Sequence, residues 1–256
     1  METSEIKTVV RERYAGFAEQ GTSCCGGAGA CGPTSIEIGY SAEELQSAPE
    51  GADLGLGCGN PVALASLREG ETVLDLGSGP GLDCFLAARR VGPSGRVIGV
   101  DMTPQMLDRA RQNLRRTGLA NVEFRLGEIE HLPVADSSVD VVISNCVINL
   151  APDKPRVFAE AFRALRPGGR LMVSDIVLTK ELPPAVKDSV LAYVGCVAGA
   201  SLKDDYLAAI RGAGFEDVSV AEETSYPADA TGQFEEVAGT VRSIRVKGVK
   251  PAAWAA

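Results

Sequence analysis

The chain has 256 residues, 45% of them hydrophobic, and a formal charge of -9. That is enough apolar chain to pack one large domain, which excludes general disorder. A net acidic surface repels phosphates and anionic lipid heads, so neither nucleic acid nor a membrane is expected as a partner.

Residues 1–19 mix charges and lack the apolar core of a signal peptide. No apolar run approaches the roughly 20 residues that span a bilayer. The expected location is the cytoplasm, where the seven cysteines would be held as thiols. A monomer is the default expectation.

In chain order, Ile6, Val9, Val10, Tyr14 and Phe17 recur at helical spacing over residues 1–20. Residues 21–39, rich in Gly, Ser and Cys, read as a loop. Ser41-Ala-Glu-Glu44 has capping-box spacing, and Gly51 to Pro61 reads as a second Gly-rich loop. Thr72–Leu76 is a short apolar strand ending at Gly77, and Leu82–Val91 a helix closed by Gly92. Arg96–Val100 is the next strand. Thr103-Pro104 then opens a helix with Met106, Leu107, Ala110 and Leu114 on one face. Val122–Leu126 and Val139–Ser144 are strands, Asp153 caps a helix, and Arg170–Ser174 is a fifth strand. Residues 176–212 look helical, and 215–221 with 241–248 supply a final hairpin-like pair. Strands alternating with helices imply parallel pairing and right-handed crossovers. The fold class is therefore α/β: a doubly wound, mostly parallel seven-stranded sheet. An N-terminal region of helix and Cys/Gly-rich loops (1–60) precedes the main domain (61–256), within which 176–212 forms an insert.

Asp75-Leu-Gly77-Ser-Gly79-Pro-Gly81 follows a strand and opens a helix, the setting of a nucleotide-binding turn. Asp101 ends the second strand, where a carboxylate can accept from ribose hydroxyls. A dinucleotide fingerprint wants a sixth-position glycine, and that position is Leu82. Asp75 would repel a pyrophosphate but favours a cationic sulfonium. These residues, with Arg166-Pro-Gly-Gly169, resemble the class I S-adenosylmethionine methyltransferases over roughly residues 60–175. The resemblance implies that Asp75, Gly77, Ser78, Gly79 and Gly81 surround the methionine portion, with Asp101 on the ribose and Met102 on the adenine. Glu128 and Ile129 would border the adenine edge, and Asn145 would sit near the methyl donor.

An oxygen or nitrogen acceptor usually needs a general base. The one histidine, His131, reads as a loop residue, so an acceptor with its own lone pair fits better. Cys146 stands at the C-terminal end of strand four, the edge where open α/β sheets bind ligands. Cys196 lies in the insert, and Cys58 lies in the turn Gly57-Cys-Gly59. Cys84, on the first helix of the domain, reads as structural. Thiolates select thiophilic centres, and trivalent arsenic on three sulfurs keeps a lone pair that can attack a methyl group. No C-x-x-C pair is present to suggest zinc.

Ser144-Asn-Cys-Val-Ile-Asn-Leu-Ala-Pro-Asp-Lys154 resembles the signature of arsenite methyltransferases. Gly57-Cys-Gly59, Gly195-Cys196 and Asp101-Met-Thr103 are similar to further motifs of that family. The resemblance, over residues 21–215, implies arsenic(III) held by Cys58, Cys146 and Cys196, with Cys58 also exchanging disulfides. A further N-terminal cysteine would pair with Cys58; Cys24, Cys25 and Cys31 are the candidates, Cys31 favoured by its distance. Thioredoxin or glutathione would act as reductant, and arsenite or its thiol conjugates as substrate. Where many relatives carry aromatic residues, this chain has Leu54-Gly-Leu56, and Tyr14 is a candidate to cover the cofactor instead. Two alternatives stay open: the same cofactor domain acting on a small organic acceptor such as a quinone precursor, and a thiol-rich metalloid-binding module without turnover.

Overall fold

The computed structural model describes residues 3–20, 35–225 and 235–253. Cys24, Cys25 and Cys31, and the roles expected for them, lie outside the described residues. The helices are α1 (Thr3–Gln20), α2 (Ala42–Ser47), α3 (Pro61–Leu64), α4 (Leu82–Val91), α5 (Pro104–Arg115), α6 (Lys154–Ala164), α7 (Pro184–Lys187), α8 (Val190–Val194) and α9 (Lys203–Gly212). The strands are β1 (Thr72–Leu76), β2 (Arg96–Asp101), β3 (Val122–Leu126), β4 (Val139–Asn145), β5 (Leu165–Leu178), β6 (Glu216–Ser225) and β7 (Val241–Val249). Among the described residues, no helix is long and apolar enough to cross a membrane.

One seven-stranded sheet runs in the order β3-β2-β1-β4-β5-β7-β6. Only β7 is antiparallel to its neighbours; it enters between β5 and β6. Side chains alternate across the sheet. Leu74, Leu76, Val142, Leu171 and Val173 face α6 and α9, while Val73, Val141, Ile143 and Met172 face α4 and α5. Burial on both faces explains why the central strands read as continuous apolar runs. A third apolar cluster, over the C-terminal edge of the sheet, joins Val10 of α1, the tail of β5, α8 and the cysteines Cys58, Cys146 and Cys196.

Local signals act as their chemistry requires. The Ser41 hydroxyl accepts from the Glu44 amide at 3.1 Å, and the Glu44 carboxylate accepts from the Ser41 amide at 3.0 Å. The Asp153 carboxylate accepts from the Arg156 amide at 3.0 Å and starts α6. Thr103 precedes Pro104 with extended backbone but makes no side-chain cap. β5 is longer than Arg170–Ser174: it begins at Leu165 and runs to Leu178, absorbing the Arg-Pro-Gly-Gly segment and the first residues expected to be helical. Pairing with β4 skips from Val139–Leu165 to Val141–Arg170, so that segment bulges out of the ladder. At the other end, β7 pairs with β5 as far as Leu178. That extension carries Asp175 and Ile176 past the end of β4.

Candidate active site

Strand order reverses between β1 and β4, and ligands of open α/β sheets bind at such a switch point. A cavity opens there. The Gly77 and Ser78 amides both donate to the Val100 carbonyl, at 2.8 and 3.0 Å, folding the turn back onto β2. Gly77 has φ 68°, and a Cβ there would sit 2.4 Å from Val147. Gly81 does not line the cavity; at φ 101° it is the N-cap of α4, wedged against Phe85 and Phe124.

Asp75, Gly77, Ser78, Gly79, Asp101, Met102, Ile129, Asn145 and Cys146 line the cavity together. Asp101 accepts from the Gly79 amide at 2.9 Å and the Thr103 amide at 2.8 Å, which fixes both carboxylate oxygens at the cavity wall. Glu128 is not part of that wall: its carboxylate accepts from Lys7 of α1 at 2.7 Å, and Glu130 lines the cavity instead. Lys7 also reaches Glu130 at 3.0 Å. Lys7, Val10 and Tyr14 make α1 one wall of the cavity.

The cavity is acidic. Asp53, Asp75, Asp83, Asp101 and Glu130 line it, against Lys7 as the one cation among the described lining residues. Burial, then repulsion from Asp83, pushes the Asp75 carboxyl well above its usual range. Burial pushes Asp83 up to about 6, while hydrogen bonds from Tyr40 and Asn145 oppose the rise. The buried Ser78 hydroxyl has no partner among the described residues. Unmatched carboxylates and an orphaned hydroxyl suit a ligand with a cationic end and polar atoms. These features fit S-adenosylmethionine, with Asp75 and Asp83 toward a sulfonium or ammonium and Asp101 toward a ribose.

Tyr40 and Asp83 were invisible as site residues in the sequence. The Tyr40 hydroxyl donates to Asp83 at 2.7 Å, and the Asn145 amide donates to the Tyr40 oxygen at 2.8 Å. That amide also donates to the Gly59 carbonyl at 2.8 Å and to Asp83 at 3.2 Å. The Asn145 oxygen accepts from the Cys58 amide at 3.0 Å. Asn145 therefore ties the Cys58 turn to the cavity. The Ser243 hydroxyl of β7 holds the same turn through the Cys58 carbonyl, at 2.7 Å. Cys84 packs in the core and donates to Asp75 at 3.2 Å.

Three thiols from separate elements converge beside this cavity. Cys58, Cys146 and Cys196 are all buried. The Cys146 amide donates to the Ser174 carbonyl of β5 at 2.8 Å. The Cys196 thiol donates to the Cys146 carbonyl at 3.1 Å. The neighbouring Cys196 and then Cys58 thiols, with burial, push the Cys146 thiol well above its ordinary value. Burial likewise raises Cys58. Both Cys146 (φ 58°) and Cys196 (φ 64°) hold left-handed backbone, which costs a β-carbon-bearing residue about 1–2 kcal/mol. Cys196 caps α8 one residue beyond Gly195, a position that glycine would occupy more easily.

Asp175 completes the cluster. One of its carboxylate oxygens, Cys58 Sγ and Cys146 Sγ lie within 4.8 Å of one another. Asp175 is fully buried and accepts from Asn149 at 2.8 Å, the Ile176 amide at 2.9 Å and the Tyr206 hydroxyl at 3.0 Å. Burial pushes its carboxyl up to about 7 despite those bonds and the nearby Lys154 ammonium. Its sequence signal was an acid inside the apolar run Leu171–Leu178, a costly placement without a partner.

A methyltransferase domain family matches residues 67–214. That match, the strand order and the acid-lined glycine turn define the class: a Rossmann-like class I methyltransferase fold. An arsenite methyltransferase of Halobacterium salinarum is 54% identical over 90% of this chain and 61% of its own length. One from Aquipseudomonas alcaligenes is 37% identical over 94% of this chain and 73% of its own. The crystal structure of an arsenic(III) S-adenosylmethionine methyltransferase from Chlamydomonas reinhardtii superposes with a TM-score of 0.69. It is 35% identical and matches 88% of this chain and 76% of that one. The chain belongs to the arsenite methyltransferase family. It spans about three fifths of the length of the Halobacterium relative.

Proposed function

We propose that this chain transfers methyl groups from S-adenosylmethionine to trivalent arsenic bound by Cys58, Cys146 and Cys196. The observation that carries this reading is the double membership of Cys146. It lines the acidic cavity, and its thiol lies in the buried cluster that holds Cys58 and Cys196. The relatives' names support the same substrate.

Raised thiol pKa values suit neutral arsenous acid. Each thiol proton leaves with one arsenic hydroxyl as water, so three exchanges give three As–S bonds with no charge left buried. Three sulfurs on one side of arsenic leave its lone pair on the other, the nucleophile for an in-line displacement. S-adenosylmethionine, when bound, supplies an electrophilic methyl on a positively charged sulfur. Asp75 and Asp83 favour that charge, Asp101 orients the ribose, and Met102 and Ile129 give the adenine an apolar bed. Asn145 keeps the Cys58 turn in place beside the cavity. No general base is required, in keeping with His131 standing outside the lining residues.

Methylation by the lone pair raises arsenic formally by two electrons. The Cys58–arsenic bond then breaks with its electron pair left on arsenic as Cys58 forms a disulfide with Cys31, its proposed partner, whose thiol releases one proton. Thioredoxin or glutathione then reopens the disulfide, which places the protein in a reducing cytoplasm. Purified protein given arsenite, S-adenosylmethionine and a thiol reductant should yield methylated arsenic. Cys146→Ser or Cys196→Ser should abolish it. Cofactor binding with no arsenic product would reject arsenic and turn the search to an organic acceptor.

A further inference from the structure

The absence of a C-x-x-C pair counts against zinc only where ligands are neighbours in sequence. The fold assembles donors from far apart. Cys58 comes from the turn before α3, Cys146 from the end of β4, and Asp175 from the extended tail of β5. All three are buried, and their ligand atoms lie within 4.8 Å of one another.

An arsenic site of three sulfurs has no use for the carboxylate, because arsenic is satisfied by the thiolates and its lone pair. A divalent borderline cation has such a use. Zinc takes sulfur at ~2.3 Å and carboxylate oxygen at ~2.0–2.2 Å around a tetrahedron, whose sulfur–sulfur edge is about 3.8 Å. The 4.8 Å limit on the spacing exceeds that edge by only about 1 Å. The Asp175 carboxylate is held by Tyr206, Asn149 and the Ile176 amide, the outer hydrogen bonds that orient a ligating carboxylate. The Cys196 thiol, on the Cys146 carbonyl, borders the group. Charge also balances. Two thiolates, one carboxylate, a dication and the Lys154 ammonium acting on Asp175 sum to zero.

We propose that the reduced protein binds one zinc ion at Cys58, Cys146 and Asp175. Binding releases the protons of the two thiols and breaks no covalent bond. A zinc ion there would occupy the arsenic position and block methylation, a consequence that rests on the function proposed above.

The test uses the full chain with Cys24, Cys25 and Cys31 replaced by serine, reduced, without oxygen, and titrated with zinc chloride against a chromophoric chelator. At a pH high enough for Asp175 to be ionised, one equivalent should bind with release of about two protons. Asp175→Asn should weaken binding at least about tenfold, and Cys146→Ser, which leaves Asp175 in place, should abolish it. A circular-dichroism melt on each variant separates lost binding from lost folding. No zinc bound, or zinc bound equally well by both variants, overturns the proposal. If zinc binds as described while the unaltered chain, freed of zinc and given arsenite, S-adenosylmethionine and a thiol reductant, yields no methylated arsenic, the zinc site stands and the arsenic assignment fails.

Discussion

At the residue scale, Cys146 and Cys196 pay for their placement. Each adopts a left-handed backbone that glycine would hold without strain. The thiol, not the backbone, accounts for a cysteine there. A stability comparison follows: Cys196→Gly should be more stable than Cys196→Ala by about 1 kcal/mol, read from denaturant unfolding. Equal stabilities, or alanine the better, would remove the argument from strain. Asp83 makes a second prediction. Its carboxyl titrates near 6, and only its ionised form attracts a cationic ligand. S-adenosylmethionine affinity by calorimetry should therefore rise as pH rises from 5 to 7. Asp83→Asn should reduce that rise. A flat profile in the unaltered protein would show that these acids face something other than the cation.

At the scale of elements, two devices hold the site together. The first is the clasp from Asp83 through Tyr40 and Asn145 to the Cys58 turn. Tyr40→Phe deletes the donor to a buried carboxyl and an acceptor for Asn145. It should cost ~1–3 kcal/mol of stability and weaken arsenite binding more than cofactor binding. An unchanged melting temperature and unchanged arsenite affinity would mean that the turn is held without it. The second device is α1, pinned over the cavity by Lys7 on Glu128 and Glu130. Glu130 is buried, so Lys7→Met leaves it a carboxylate without its ion-pair partner. Faster cofactor dissociation in stopped-flow is expected; an unchanged off-rate would make α1 a passive cover.

At the scale of the whole molecule, the sheet was readable because its central strands are buried on both faces and bounded by Gly, Pro and capping residues. β1, α4 and β3 have the bounds that their apolar runs and end signals give. The length of β5 was not readable. Its extension past Ser174 depends on pairing with β7, a strand more than 60 residues later, which no local pattern announces. The expected site residues fared similarly. Asp75, Gly77, Gly79 and Asp101 sit where a strand–turn–helix motif puts them, and the cavity brings them together. Glu128 faces Lys7 because α1 folds back across more than 100 residues. Tyr40, Asp83, Asp175 and Tyr206 escaped notice because each is ordinary in its own segment and becomes special only through a distant partner. Cys58, Cys146 and Cys196 stood out by position, the resemblance to a family gave them a common ligand, and their convergence on one cluster is a property of the fold.

The central claim is that Cys146 joins the methyl-donor cavity to the thiol cluster. The most direct measurement is arsenic speciation after incubating purified protein with arsenite, S-adenosylmethionine and thioredoxin or glutathione, beside Cys146→Ser checked for folding and cofactor binding. Methylated arsenic from the unaltered chain, and none from a folded Cys146→Ser that still binds the cofactor, is the predicted result. A Cys146→Ser that methylates arsenite at the unaltered rate would contradict it.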